Sequence, residues 1–212
     1  MNESLKNKVA LVTGASRGLG AAIALALGKR GAKVAVNYLS RIEEAKQVKA
    51  EIDASGNTAA LFPADVTDEA QVRALCEQVE KKLGSIDILV FNATLVHVHK
   101  PIEQLVWQDF LDHYHFFVKS PLLLTQQVLP AMKKKKYGRI IHIGSEVFER
   151  GIPEFSNYVS AKGAQLGLTR SWANELASHQ ITVNLVAPGW IPTEMHQKDP
   201  EAMKADYAKR VP

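Results

Sequence analysis

The strongest constraint on this chain is an alternation that repeats from end to end: a short, almost wholly apolar run, then a longer helical stretch, then another apolar run. The apolar runs are KVALVTG (8–14), AKVAVNY (32–38), NTAALFPAD (57–65), SIDILVFNA (85–93), GRIIHIGS (138–145) and ITVNLVAPG (181–189). Strands apolar on both faces belong to parallel sheets covered on both sides. Helical stretches lie between them at 18–31, 41–55, 67–84, 101–132 and 155–178, with Gly31 and Gly84 as stops and Thr67 or Asp68 as an N-cap. Pro101 predicts a break at the start of the fourth stretch, which is expected to extend past Pro121. Strand–helix–strand units joined by right-handed crossovers give an α/β fold, a Rossmann-type doubly wound parallel sheet, expected here as a single domain over residues 1–212. After Gly189 the text WIPTEMHQKDPEAMKADYAKRVP holds no further strand pattern, so the chain reads as C-terminally short, with the last edge strand missing.

Composition removes several functions. There are 26 basic and 22 acidic residues, spread evenly to a net charge of +4, which argues against a nucleic-acid partner. The one cysteine, Cys76, allows neither an internal disulfide nor a thiolate cluster for zinc. The opening MNESLKNK has no apolar run of signal-peptide length, and the longest apolar run, AAIALAL (21–27), is far below a membrane span. A soluble, cytoplasmic protein is expected.

The first apolar run ends in TGASRGLG (13–20), with Gly14, Gly18 and Gly20 spaced G-x3-G-x-G. Glycines there let the backbone turn tightly and bring a pyrophosphate against helix N–H groups at the positive end of the helix dipole. Gly14, Ser16, Arg17, Gly18, Leu19 and Gly20 are therefore candidates for holding a dinucleotide. An acidic residue about 20 positions beyond such glycines favours NAD by holding the ribose 2′-hydroxyl. Asn37 stands in that place, while Arg17 and Arg41 are positioned to pair with a 2′-phosphate, which favours NADP(H); for Arg41 a solvated surface role is nearly as well supported.

The stretch NYVSAKGAQL (157–166) sets Tyr158 and Lys162 four positions apart, one above the other on a helical face. Alone, the pair reads either as a surface contact or as a lysine that lowers a phenol pKa toward neutrality.

Taken in order, these residues resemble the short-chain dehydrogenase/reductase family across essentially the whole chain, and most resemble its beta-ketoacyl thioester reductases. TGASRGLG is similar to the family's TGxxxGxG, Asp65 and Val66 in PADV to its adenine-side aspartate pair, FNAT (91–94) to its NNAG, YVSAK to its YxxxK, and APGWIPTEM (187–195) to its PGxxxT segment. Ser145 lies 13 residues before Tyr158, the family's usual spacing. The resemblance implies an NADP(H)-dependent oxidoreductase that reduces a ketone to an alcohol. Tyr158 would supply the proton, with its pKa drawn down by Lys162 and by the oxidised nicotinamide; Lys162 would also hold the nicotinamide ribose. Ser145 would hydrogen-bond the substrate oxygen. Asn92 and Ala93 would line the cofactor cleft, with Pro188, Gly189, Ile191 and Thr193 closing over the carboxamide and pyrophosphate. It further implies a small carbonyl or alcohol substrate, which an acyl-carrier-protein thioester would fit, and a homodimer or homotetramer built through the two long helices and the last strand.

The sequence also departs from that pattern. Where the family places a catalytic asparagine, FFVKSPLLLT puts Phe117, or Tyr114 if Trp107 sets the register, so a different proton relay through His113 or His115 is one expectation and plain helix surface the other. Thr94 replaces the glycine of NNAG and narrows the pocket. HVH (97–99) and HYH (113–115) lack an acidic or thiol ligand at useful spacing, so no metal is expected. KKKK (133–136) reads as a solvated run, with docking of an acidic carrier as the sharper alternative. Competing readings are a dehydrogenase for another alcohol, sugar or steroid, an NADP-binding protein with little turnover, and a structural partner of an active relative.

Overall fold

The computed structural model describes residues 4–97, 99–193 and 201–210. Six strands form one sheet: β1 (Val9–Val12), β2 (Lys33–Tyr38), β3 (Ala59–Pro63), β4 (Ile88–Phe91), β5 (Gly138–Ile143) and β6 (Ile181–Val186). Their order is β3-β2-β1-β4-β5-β6 and every pairing is parallel. This is the doubly wound arrangement, with the reversal of strand order at β1 and β4 opening a crevice beyond their C-terminal ends.

The period of two along each strand divides the core between the faces. Ala10, Val12, Val34, Val36, Ile88 and Val90 pack with Ala24 of α1 (Gly18–Lys29) and with Ala45, Val48 and Ile52 of α2 (Ile42–Ala54). On the opposite face Val9, Leu11, Ala35, Leu89 and Phe91 pack with Val72, Leu75 and Val79 of α3 (Glu69–Leu83). Leu124, Val128 and Met132 of α5 (Ser120–Lys135) and Leu176 of α7 (Ser156–Leu176) complete that layer. Asp68 caps α3 by accepting from the Gln71 amide at 2.8 Å, and Gly84 ends the helix with φ of 108°.

The fourth helical stretch differs from the expectation. A single 3-10 turn at Ile102–Gln104 is followed by α4 (Trp107–Tyr114), a π-helical turn at His115–Lys119, and α5. Pro121 lacks an N–H and its ring crowds the carbonyl four residues back. The ladder widens just before it: the Ser120 N–H bonds to the His115 carbonyl, five residues back. Two short helices, α6 (Val147–Arg150) and α8 (Glu201–Arg210), were not legible as helices. Glu194 and Met195 of the PGxxxT-like stretch lie outside the described residues.

The lysine run closes α5 rather than forming a loop, with Lys136 as its left-handed cap. Cations suit a helix C-terminus. Lys135 also bonds the buried Asp87 carboxylate at 2.9 Å, and Asp87 in turn accepts from the Val9 amide at 3.0 Å. The run thus lies at the N-terminal edge of the sheet, opposite the crevice. Among the described residues no helix is long and apolar enough to cross a membrane.

His142 of β5 is 0% exposed, held between Phe91 (centroids 4.8 Å apart) and Trp172 (5.7 Å), and neither ring nitrogen has a hydrogen-bond partner among the described residues. Burial pushes its pKa down to about 3, with the Lys162 charge adding to the effect. An unfolded histidine titrates near 6.5, so the unfolded chain binds the proton first and stability falls as pH drops below about 6.5. The expected loss steepens to about 1.4 kcal/mol per pH unit below about pH 5.5. Urea unfolding of His142→Leu should show that much less slope over the same window.

Candidate active site

β1 ends by handing Thr13 and Gly14 into the crevice. The Thr13 hydroxyl donates to the Val90 carbonyl (3.2 Å) and accepts from the Asn92 and Ala93 amides (2.9 and 3.0 Å), joining the ends of β1 and β4. The Gly14 peptide is then gripped from two sides. Its N–H donates to Asn37 Oδ1 at 3.2 Å and its carbonyl accepts from Asn92 Nδ2 at 3.1 Å. Gly14 has φ of 61°, and a Cβ there would lie 2.9 Å from Ala93 Cα; one on Gly20 would lie 2.3 Å from the Gly14 carbonyl oxygen. The turn therefore requires glycine at both positions.

α1 starts at Gly18 with no acidic residue in its first turn and no side-chain cap from Arg17. Ser16, Arg17, Gly18 and Leu19 are half-buried at the mouth of the turn. Uncapped helix N–H groups and a glycine cradle fit the pyrophosphate of a dinucleotide.

Asn37 departs from the sequence reading. It is 2% exposed, and its side chain is fully engaged: Oδ1 on Gly14, and Nδ2 on the Phe62 and Ala64 carbonyls at 3.2 and 3.1 Å. It shapes the turn, both its oxygen and its nitrogen holding backbone partners. Arg17, Arg41 and Glu44 are charged groups near one another at this end of the crevice. Arg41 bonds Glu44 at 2.9 Å on the surface. The Glu44 carboxyl is held below its ordinary value by a backbone hydrogen bond first, then by Arg41, with the Arg17 charge adding to the field.

Asp65 accepts from the Thr67 amide and hydroxyl at 2.8 and 2.7 Å, which fixes the turn into α3. Val66 buries its side chain in the core. Beyond β6, the Pro188 carbonyl accepts from the Glu146 amide at 3.1 Å. The next residues are pinned by α8: the Tyr207 hydroxyl accepts from the Trp190 amide at 2.7 Å and donates to Glu146 Oε1 at 3.1 Å. A Cβ on Gly189 would meet that hydroxyl at 2.0 Å. Ile191 remains exposed and Thr193 half-buried. Nothing in the sequence marked Tyr207 as a clamp; it is a lone tyrosine in a polar helix.

Past the end of β5, Ser145 faces α7. Its hydroxyl accepts from the Val147 amide at 3.4 Å and stands near enough to the Tyr158 phenol to favour the phenolate. Lys162 is 5% exposed; its Nζ donates to the Ile143 carbonyl at 2.6 Å and to Gln165 Oε1 at 3.2 Å, and lies 3.7 Å from the centre of the Phe117 ring. Burial lowers its pKa to about 7. The expected lowering of the Tyr158 pKa does not follow from these groups. Burial pushes the phenol up, and the opposing influence is the Ser145 hydrogen bond. The ammonium points at Ile143 and Gln165, 5.6 Å from the phenol ring centre.

Tyr158 sits in an aromatic box. The rings of His97 (4.1 Å between centroids), Phe155 (4.8 Å), Phe117 (5.6 Å) and His113 (5.7 Å) surround it. Both histidine motifs thus reach the site through one residue each, while His99 stacks on Phe155 at 4.1 Å. His113 Nδ1 bonds the Asp109 carbonyl at 2.8 Å, its Nε2 meets His97 Nδ1 at 3.4 Å, and His97 Nε2 meets the Thr94 hydroxyl at 3.2 Å. A carbonyl only accepts, so His113 Nδ1 carries hydrogen, and in the neutral ring Nε2 accepts from His97. His97 is kept neutral near pH 7, its pKa lowered to about 3 by burial and then by His113. His115 takes no part in this chain. Among the described residues no three histidine, cysteine or acidic side chains converge to hold a metal.

The sequence pattern of a short chain dehydrogenase matches residues 8–204. A 3-oxoacyl-[acyl-carrier-protein] reductase of Staphylococcus aureus (strain Mu50) is 39% identical over 207 residues, covering 97% of this chain and 83% of the relative. The crystal structure of a metagenomic short-chain oxidoreductase in complex with NADP superposes with a TM-score of 0.82 at 36% identity, over 89% of this chain and 85% of that one. A solved structure from Sinorhizobium meliloti 1021 gives 0.88 at 31% identity, over 99% and 82%. A glycine turn beyond β1, a serine beyond β5 and a tyrosine–lysine pair on α7 occur here within one doubly wound sheet, and the chain belongs to the short chain dehydrogenase family, a family of oxidoreductases.

Proposed function

We propose that this chain reduces a ketone carried on a thioester, with NADPH as hydride donor and Tyr158 as general acid, and that residues 1–212 act as one catalytic domain. The reading rests on Tyr158 and Lys162, both buried and one helical turn apart on α7 beside Ser145, with Lys162 lacking a carboxylate partner among the described residues. The thioester class is taken from the reductase of S. aureus and the cofactor from the metagenomic oxidoreductase.

NADPH, when bound, supplies the hydride. Ser145 donates a hydrogen bond to the substrate oxygen and stabilises the charge that develops there. Tyr158 gives that oxygen its phenolic proton; the raised pKa keeps the phenol protonated at neutral pH, the form reduction needs. Lys162 holds the nicotinamide ribose. Gly14, Ser16, Arg17, Gly18, Leu19 and Gly20 receive the pyrophosphate through backbone N–H groups and the Arg17 charge. Asp65 and Val66 flank the adenine and Ala93 the cleft, while Asn37 and Asn92 act by holding the turn. Pro188, Gly189, Ile191 and Thr193 cover the carboxamide side. Arg17 and Arg41 select the 2′-phosphate.

Acetoacetyl thioester should drive oxidation of NADPH faster than of NADH. Loss of one charge-assisted hydrogen bond is about 1.5–3 kcal/mol, so Arg17→Gln should weaken NADPH binding at least about tenfold and leave NADH nearly unchanged. NADPH binding with no thioester-dependent turnover would turn the reading toward a cofactor-binding protein. Equal binding of both cofactors would remove the arginine assignment.

A further inference from the structure

We propose that Gln165 and Phe117 form a cradle for the Lys162 ammonium, and that Gln165 is a positioning residue that keeps this ammonium charged and aimed where the family pattern would use an asparagine.

An ammonium carries three N–H donors and no acceptor. Two of the three are engaged at Lys162, one by the Ile143 carbonyl at 2.6 Å and one by Gln165 Oε1 at 3.2 Å. A cation taken from water without an opposing charge is costly unless its donors are matched. No carboxylate bonds Lys162 among the described residues, so a carbonyl, an amide oxygen and the Phe117 ring face are its compensation. An aromatic face within about 6 Å attracts a desolvated cation, by an amount that grows with burial.

Both cradle residues are placed by the fold. Gln165 is 1% exposed and lies three residues beyond Lys162, on the same face of α7. The Thr169 hydroxyl bonds its carbonyl at 2.8 Å. A buried amide in a helix interior is itself unfavourable without a partner, and Lys162 supplies one. Phe117 is 2% exposed and belongs to the π turn, which turns its ring onto Lys162 and Tyr158.

The titratable groups around the ammonium come from four elements: Tyr158 on α7, His97 in the loop beyond β4, His142 on β5 and His113 on α4. None is an acid. His97 and His142 are neutral near pH 7, so a variant at Gln165 changes the local charge by a known amount. Removing the amide acceptor disfavours the ammonium, and a carboxylate in its place favours it.

The consequence for turnover rests on the reductase reading above, but the test reads Lys162 directly. Protein carrying 13C-labelled lysine is titrated by NMR without cofactor, with the Lys162 signal assigned by its loss in Lys162→Arg. The wild-type signal should titrate near pH 7. Gln165→Leu should lower the midpoint by about one unit, a tenfold loss of proton affinity, and Phe117→Leu should lower it less. Gln165→Glu should raise it. With NADPH and acetoacetyl thioester, the alkaline limb of kcat should move in the same directions while KM changes less than about twofold. A purely structural role would lower the melting temperature and scale kcat equally at every pH. Equal midpoints in wild type, Gln165→Leu and Gln165→Glu overturn the proposal. Midpoints that separate as described in a protein that never turns over leave the cradle standing and remove the reductase reading.

Discussion

Tyr158→Phe is expected to lower kcat for thioester-dependent NADPH oxidation by about 10³-fold, within the 10²–10⁴ range of a positioned general acid. The substitution deletes one oxygen and keeps the ring. His97, Phe155, Phe117 and His113 pack on that ring, so the aromatic box remains filled and the fold should be retained. NADPH affinity should therefore change by less than about threefold, which separates lost chemistry from lost binding. Ser145 keeps its hydroxyl, so the residual rate reports hydrogen-bond stabilisation of the substrate oxygen without proton donation. Single-turnover NADPH oxidation, monitored by absorbance, checks this. A variant within tenfold of wild type would exclude Tyr158 as the acid. Direction matters as well. Alcohol oxidation needs the phenolate, and burial pushes the phenol up, so the reverse reaction should accelerate as pH rises, while reduction is favoured on the acid side of the phenol.

The second large effect is expected at Gly20. A Cβ there would stand 2.3 Å from the Gly14 carbonyl oxygen and 2.4 Å from Asn92 Nδ2, and those two atoms bond one another at 3.1 Å. Any larger residue must push the clasp apart, and the displaced Gly14 peptide then loses Asn92 on one side and strains Asn37 on the other. Overpacking of this kind costs about 1–3 kcal/mol. The damage falls on the turn itself, so Gly20→Val should weaken NADPH binding by about 100-fold at the upper end of that range. It should also lower the melting temperature. Gly167, on the exposed side of α7, is the control: an added Cβ there meets nothing within 4 Å. Gly167→Ala should gain about 0.5–1 kcal/mol of stability and leave NADPH binding unchanged. Fluorescence titration with NADPH and thermal melts of both variants test the pair. Equal binding by Gly20→Val and wild type would remove the turn from the cofactor site.

The sheet was legible because strands buried on both faces have only one kind of sequence to use, and all six apolar runs contain an observed strand. Ser145, Tyr158 and Lys162 were legible because their spacing along β5 and α7 is local once the strand and helix are placed. What was not legible depends on contacts across the fold. Asn37 was legible only as the absence of a ribose-binding acid, yet its amide reaches Gly14, Phe62 and Ala64, which are separated from it by 23 or more positions. The pKa logic of the tyrosine–lysine pair was read from their proximity, whereas burial outweighs that proximity and drives the two values apart, the phenol up and the ammonium down. Tyr207 carries no motif; its role comes from where α8 lies against Trp190 and Glu146. The joining of HVH to HYH needed the His97–His113 contact across 16 positions.

The π turn at His115–Lys119 makes chain length a variable at this site. Such a turn is an α-helix holding one residue too many. Removing one residue between 115 and 119 lets the ladder close to its ordinary spacing while α4 keeps its face toward α7 and α5 its face toward α3. The phenyl ring would then be drawn off the ammonium although every neighbouring helix stayed in register. Insertion and deletion are usually thought of as events of surface loops; here a single step in residue count, inside a packed helix, sets how dry the lysine is.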